Sequence, residues 1–380
     1  CYVLFLHTEK EKLLIMKKLV YVFAIMLLIV ACSESDDTGS SSNATSDNYN
    51  RVAMQTNLAD NIIIPRIQNL KSALQTLSDV NNTFTATPNQ ANLDNLRAAF
   101  VSAYKDWQLV EPFNIGQAEI LQYNFKMNVY PTTVADIEAN IANGNYDLLA
   151  AANNDAVGFP AVDYMLHGIA ATDADILNKY ANANYVTYLT DLIAQMNSLT
   201  QTVLTDWTSN YRTVFVNSTE NTASSAVNKF INDYIFYFEK GLRANKFGIP
   251  AGVFSATSLS DKAEAIYNGT ISRDLAIIAL DNVQNIFNGK ATSTSPTGEG
   301  FYKYLVALDR TDLATLINTR IDDARQKIQN LNADLKTQVE VDSVKMTEAY
   351  DALQLVVISL KVDMLQAFNV SVDYVDADGD

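Results

Sequence analysis

A carboxylate and an imidazole stand four residues apart in the segment VGFPAVDYMLHG, residues 157–168. Gly158 and Pro160 indicate a turn that leads into a helix, because a proline in the first helical turn loses no hydrogen bond. Asp163 and His167 would then share one helix face with apolar side chains. A charge buried on such a face needs a partner. The pattern is typical either of a capped helix with polar residues at its edge or of a functional site.

Two further carboxylates fall on helix faces that are otherwise apolar. Glu111 ends an aromatic stripe of three- and four-residue steps, just before Pro112 stops the helix. Asp363 lies on the apolar face of the last long helix. Such carboxylates form either a buried ion-pair network or an acidic pocket that holds a metal ion or a cationic group. The candidate pocket residues, with two basic side chains as counter-charges, are Glu111, Asp163, His167, Asp363, Arg243 and Lys246.

The residue types exclude several kinds of catalytic site. The cysteines are Cys1 and Cys32 and the histidines are His7 and His167, so a cysteine-ligated zinc site is excluded. No HExxH, GxSxG or glycine-rich phosphate-binding segment occurs. We therefore assign no catalytic residue from these motifs, and carboxylate chemistry is what remains.

Charge and composition restrict the partners. The 380 residues carry a formal net charge of -16, and an acidic chain repels phosphate backbones. We therefore expect no nucleic-acid partner. An acidic surface either concentrates cations or keeps the protein soluble.

The N-terminal region has the pattern of an exported bacterial lipoprotein. We expect residues 1–15 to be an upstream extension and residues 16–31 to be a signal peptide, because two lysines precede an apolar run and a small residue. Cys32 would accept the lipid, and residues 32–50 are a polar tether. The alternatives are an ordinary signal peptide and a membrane span. Acidic residues after Cys32 favour the outer membrane and display on the cell surface.

From Arg51 onward the apolar period is helical almost throughout. We predict an all-α fold of two helical-bundle domains, residues 51–217 and 218–380, packed together with a site at their interface. Residues 244–256 are predicted to be a loop because they are rich in glycine and proline. The predicted helices cover residues 53–78, 93–110, 133–142, 173–211, 224–243, 259–288, 311–333 and 339–368.

Four segments resemble motifs of the imelysin-like family. WQLVEPFNIG at 107–116 resembles W-x-x-V-E-P-F-x-x-G, and VGFPAVDYMLHG resembles G-F-H-A-x-E-x-x-L-x-G. KFGIPAGVFS at 246–255 resembles K-x-G-I-P-x-G, and residues 360–380 resemble the family's acidic C-terminal ending. The residues that carry the motif scaffold are Trp107, Pro112, Gly116, Gly158, Phe159, Pro160, Gly248 and Pro250.

The resemblance implies an all-helical fold of two bundle-like domains with a site between them. It also implies an exported, often lipid-anchored protein with a link to iron uptake. The founding member is described as a metallopeptidase on the basis of a GxHxxE motif. In this chain Pro160 stands at the histidine position and Asp163 at the glutamate position, and His167 lies two turns further on.

We therefore expect a non-catalytic envelope lipoprotein that binds a small ligand or a metal ion such as iron, calcium or zinc. Its partners would be the membrane, through the lipid on Cys32, and envelope transport proteins. Two alternatives are a metallopeptidase with an altered active site and a surface protein that is structural or binds polysaccharide.

Overall fold

Every regular element between residues 49 and 374, the part that the computed structural model describes, is a helix. The all-α prediction is therefore confirmed. The predicted signal peptide and Cys32 lie outside the described residues. No helix within residues 49–374 is long and apolar enough to cross a membrane.

The helices of the first half form a packed group around a long hairpin. Helix α1 packs along both α2 and α5. Asn89 caps α2, because its side chain accepts a hydrogen bond from the backbone N–H of Asn92 at 2.9 Å. The bounds are α1, Arg51–Asn57 and Ile64–Ala86 joined by the π-helical Leu58–Ile63; α2, Gln90–Val110; α3, Val134–Asn143; α4, Gly158–Asp163 continued by the π-helical Tyr164–Gly168; and α5, Ala183–Asp206 continued by the π-helical Trp207–Tyr211 and by Arg212–Asn217.

The second half contributes four further long helices and several short ones. Helices α8 and α9 pack together, and α9 also packs on the π-helical part of α6. The bounds are α6, Ala226–Phe236 continued by the π-helical Tyr237–Gly248; α7, Ser272–Phe287; α8, Thr311–Gln329; and α9, Leu335–Val357 continued by the π-helical Ile358–Met364 and by Leu365–Phe368. The short helices of the second half are Ile249–Ala251 and Phe301–Ala307. Those of the first half are Gln117–Ile120, Tyr123–Met127 and Asp173–Lys179.

Three of the predicted boundaries are wrong in an informative way. The predicted loop at 244–256 is helical as far as Ala251, because α6 extends to Gly248 and Pro250 then occupies the first turn of a short helix. The predicted helix at 259–288 begins only at Ser272. The predicted helix at 173–211 is interrupted between Lys179 and Ala183.

Helix α2 contacts helices from both halves of the chain. It packs against α1 on one side and against α7 on another. Asn282 on α7 donates hydrogen bonds to the carbonyl oxygens of Gln108 and Leu109, each at 3.0 Å. The C-terminal turn of α2 is thereby held against an element from the second half of the chain. A division into two domains near residue 217 stays a prediction.

Candidate functional site

A fully buried ion pair joins α6 to the loop before α7. The ammonium nitrogen of Lys246 lies 2.5 Å from Oε2 of Glu264, and each side chain is 1% exposed. The same ammonium group donates to Oε1 of Gln108 at 2.8 Å, and Nε2 of Gln108 donates to Oε1 of Glu264 at 3.1 Å. Three elements thus meet through one closed set of hydrogen bonds.

A second carboxylate, that of Glu111, adjoins this pair. Asn128 links the two acids, because its amide Nδ2 donates to Oε1 of Glu111 at 3.0 Å and to Oε1 of Glu264 at 2.9 Å. The hydroxyl of Tyr104 donates to Oδ1 of Asn128 at 2.8 Å and so orients the amide. We call Gln108, Glu111, Asn128, Lys246 and Glu264 the Lys246 cluster.

Glu111 is the less completely satisfied acid of the cluster. Burial raises the pKa of its carboxyl; Lys246 lowers it and Glu264 raises it. The indole N–H of Trp107 and the hydroxyl of Tyr237 both face this carboxylate. Neither reaches an acceptor with full hydrogen-bond geometry among the described residues.

Glu111 also forms part of the floor of a cleft of about 520 Å³. Asn128, Tyr130 and Tyr237 line the cleft beside it. Phe125 and Phe236 lie at its mouth with exposed fractions of 57% and 41%. Mostly apolar walls and a few polar groups are typical of small-molecule sites.

Asp163 has a different environment, although it lies on the motif helix α4. Its carboxylate accepts hydrogen bonds from the backbone N–H groups of Tyr267 and Asn268, each at 3.1 Å. Nδ1 of His167 lies 3.1 Å from Oδ1 of the same carboxylate. We call this set the Asp163 anchor. It explains why the predicted α-helix does not extend through Tyr267 and Asn268, because these amides bond to Asp163 instead of to α-helical carbonyl groups.

The cavity beside Asp163 is far smaller than the cleft. It measures about 10 Å³ and is lined by Pro160, Asp163 and Tyr267 among others. A space of that size holds at most one water molecule. The cavity beside Asp163 is therefore too small for an organic molecule.

The remaining predicted residues lie elsewhere. Arg243 donates to the hydroxyl of Tyr350 at 2.8 Å and lies 3.8 Å from Glu239. Glu239 also pairs with Lys361 at 3.1 Å. Asp363 is half-buried and does not line the 520 Å³ cleft. Of the six predicted residues, only Glu111 and Lys246 meet in the Lys246 cluster.

A comparison with known families identifies the scaffold. The model of the imelysin family, Peptidase_M75, matches residues 63–359, which is more than half of the chain. The chain belongs to the imelysin family. The resemblance seen in the four motifs is thereby confirmed.

Solved structures show the same fold at low identity. A protein from Parabacteroides distasonis, described as an iron-regulated protein A precursor, superposes with a TM-score of 0.70 at 16% identity and covers 84% of this chain and 95% of its own. An imelysin-like protein from Psychrobacter arcticum gives a TM-score of 0.67 at 17% identity and covers 85% of this chain and 97% of its own. No curated protein sequence matches the chain.

The imelysin motif is altered where a metal ion would need ligands. The side chain of Pro160, at the histidine position, has no metal-ligating atom, and both oxygens of Asp163 are engaged by backbone amides and His167. In the Lys246 cluster an ammonium group already accompanies the carboxylates. Among residues 49–374 no three His, Cys, Asp or Glu side chains converge as metal ligands. These residues do not fit a metal centre.

The other imelysin motif residues shape the surroundings of the cleft. Gly158 has φ +72°, and a Cβ there would lie 2.2 Å from the carbonyl oxygen of Met127. Glycine is therefore required where α4 begins. Phe159 stacks on Tyr104 at 4.6 Å, and Tyr104 holds Asn128.

The rest of the motif scaffold fixes the ends of α2 and α6. Gly116 has φ +63°, with the ring of Tyr211 2.9 Å from the position of a Cβ. Trp107 and Pro250 are buried, and Pro112 lines the cleft beside Glu111. At Gly248 a Cβ would lie 2.7 Å from the ring of Tyr350.

Sequence reasoning missed Gln108, Asn128 and Glu264. Glu264 lies inside the predicted helix 259–288, and a helical pattern does not state which distant residue it faces. Gln108 directly follows Trp107 in the sequence. Adjacent residues of a helix point in different directions, so Gln108 is not on the helix face that carries the aromatic stripe. An available signal was that Glu264, a charged residue between Ala263 and Ala265, follows the oppositely charged Lys246 by 18 positions.

Proposed function

We propose that this imelysin-family chain is a non-catalytic binding protein of the bacterial cell envelope with a role in iron uptake. The cleft above Glu111 is its ligand site. The lipid on Cys32 is the proposed membrane attachment, and envelope transport proteins are the proposed partners. The outer membrane, with display on the cell surface, is the proposed location.

One observation carries the non-catalytic part of the proposal. The family's peptidase description rests on a motif whose histidine is replaced by Pro160 in this chain. The carboxylate of Asp163 accepts hydrogen bonds from the backbone amides of Tyr267 and Asn268. A proline can act neither as a general base nor as a metal ligand. The cleft beside Glu111, in contrast, has the volume and lining of a small-molecule site.

The link to iron rests on one similar structure, which is described as an iron-regulated protein A precursor. At 16% identity that likeness concerns the fold, so the role in iron uptake is proposed for this chain. An immunoblot of cells grown with and without an iron chelator measures it. We expect the protein to be more abundant in iron-limited cells, and equal abundance would contradict an iron-linked role.

The peptidase alternative is tested with casein as substrate. We expect the purified protein to release no peptide above the buffer level, with or without a metal chelator. Chelator-sensitive cleavage that disappears in Glu111→Gln would overturn the non-catalytic proposal. Calorimetry with ferrous, ferric, zinc and calcium ions is the companion measurement, and we expect no saturable binding that changes in Asp163→Asn.

A further inference from the structure

The charges of the Lys246 cluster are unequal. Two buried carboxylates, Glu111 and Glu264, face one ammonium group within the described residues. The donors of Lys246 go to Glu264 and Gln108, and Lys246 acts on Glu111 only through space. The cluster therefore has one negative charge more than its own cation balances when both acids are ionised.

The carboxylate without an ion pair is the one that faces the cleft. Glu111 is 8% exposed and lines the cleft, whereas Glu264 is 1% exposed and does not. Asn128 is the side chain that donates to Glu111 at hydrogen-bond distance. A group that enters the cleft can thus reach Glu111 without displacing Lys246.

Two buried donors around Glu111 are also incompletely used. The Tyr237 hydroxyl and the Trp107 indole N–H each belong to a side chain that is at most 5% exposed, and neither has a partner with full geometry among the described residues. Buried polar groups without a partner cost free energy. Both donors face the Glu111 carboxylate, so the polar surroundings of this acid are not fully used within the described residues.

The cleft walls suit an apolar body attached to such a charge. Aromatic rings at the mouth, Phe125 and Phe236, remain open to solvent, and Tyr130 and Tyr237 lie deeper. Aromatic faces attract organic cations. Lys262 lies at the rim, but it pairs with Asp261 at 3.5 Å.

A second acid lies on the same wall. Asp233 precedes Tyr237 by one turn of α6 and lines the cleft. Burial and the nearby Asp373 and Glu119 raise its pKa to about 8, and Lys229 acts in the opposite direction. The cleft wall thus carries a second carboxyl group besides that of Glu111.

We propose that the cleft binds a small organic cation, an ammonium group on an apolar or aromatic body, with Glu111 as its counter-charge. This inference rests on the proposed ligand-binding function and specifies its ligand class. The ligand's ammonium group would donate to the Glu111 carboxylate from the cleft side, while Lys246 keeps its contacts with Glu264 and Gln108.

Calorimetry with three probes of one shape tests the inference: benzylammonium, benzyl alcohol and benzoate. We expect benzylammonium to bind most tightly, and Glu111→Gln to weaken it by roughly tenfold or more because a charge-assisted hydrogen bond is lost. The matched control Asp323→Asn removes an exposed carboxylate outside the cleft and should bind like the parent protein.

Two further readouts keep the test independent of the folding of Glu111→Gln. Asn245→Trp fills the exposed mouth of the cleft and should abolish benzylammonium binding. Glu111→Asp keeps a carboxylate on a shorter side chain and should bind benzylammonium more tightly than Glu111→Gln does. Equal weakening in both variants would contradict Glu111 as the counter-charge.

The outcomes separate the inference from the function on which it rests. Benzyl alcohol that binds as tightly as benzylammonium, or benzoate that binds more tightly, would overturn the proposal of a cationic ligand. If Asn245→Trp abolishes that binding, the cleft is still the binding site. Binding of no probe at all would overturn the inference. The casein assay described above decides separately whether the protein is non-catalytic.

Discussion

Among residues 49–374, two buried ion clusters on the same helix, α6, differ in how many basic side chains face a carboxylate. In the Lys246 cluster, two carboxylates share one ammonium group. In the second, which we call the Glu239 cluster, one carboxylate faces Arg243 at 3.8 Å and Lys361 at 3.1 Å, and the Tyr374 hydroxyl donates to it at 3.3 Å. Arg243 is held in turn by Tyr350 and Gln354.

The two clusters differ in whether the buried carboxylate has a directly paired cation. Glu239 is matched by cations and a hydroxyl, so it has a structural role that its surroundings explain. Glu111 lacks a directly paired cation, and burial raises its pKa. The Asp163 anchor is a third solution, in which backbone N–H groups satisfy a carboxylate. Each of these three arrangements allows an acid to be buried. Of the three, the arrangement around Glu111 is the one that leaves a carboxylate for a ligand.

The largest expected effect comes from removing the cation of the Lys246 cluster. Lys246→Met leaves Glu111 and Glu264 buried without their ammonium group, and we expect the free energy of unfolding to fall by about 3–5 kcal/mol at pH 7. Urea unfolding measures it. The double variant Lys246→Met/Glu264→Gln should regain a substantial part of the loss, and a loss below about 1 kcal/mol in the single variant would contradict the role assigned to this cation.

Loss of the Asp163 anchor should be less costly. Asp163→Asn replaces a charged acceptor of two backbone amides, and we expect a loss of about 2 kcal/mol. Hydrogen exchange at the amides of Tyr267 and Asn268 should accelerate together with it. Asp323→Asn, which changes an exposed carboxylate in the middle of α8, is the control and should change neither quantity. Unchanged exchange at these two amides would show that Asp163 does not hold the loop.

Asp233, in the wall of the cleft, should make the stability of the protein depend on pH. Because the folded-state pKa of Asp233 is about 8, above its ordinary value near 4, the folded protein binds a proton more tightly than the unfolded chain. Asp233 should therefore lower stability increasingly as pH rises from about 4 to 8. Asp233→Asn should be more stable than the parent by about 1–2 kcal/mol at pH 8 and equal to it near pH 4, since partial exposure reduces the effect.

Denaturant unfolding at both pH values measures this difference. Asp323→Asn, at an exposed site on α8, should follow the parent protein at both. A stability gain of Asp233→Asn that is independent of pH would rule out titration of Asp233 as its cause.

The smallest effect is expected in the Glu239 cluster. Lys361→Met leaves Arg243 near Glu239, and the Lys361 side chain is already 16% exposed. We expect a loss of about 1 kcal/mol or less in urea unfolding. A loss as large as that of Lys246→Met would show that charge ratio does not distinguish the two clusters.

Several features of this protein followed from local sequence. The spacing of apolar residues predicted the helices, and the structure places α2 and α3 within a few residues of their predicted bounds. Motif residues predicted the family, which the family match confirms. Gly158 and Pro160 correctly indicated a turn at the start of α4. These features depend on interactions between residues that are neighbours along the chain.

The composition of the polar clusters depended on contacts between distant residues. Glu264 meets Gln108 across 156 positions, and Asn128 meets Glu264 across 136. A helical period states which face a residue occupies, but it does not state which element packs on that face. Asp163 and Glu111 looked equivalent as acids on apolar helix faces. Only the tertiary structure gave one of them two backbone amides and the other a cleft, because desolvation and hydrogen-bond partners are properties of the packed fold.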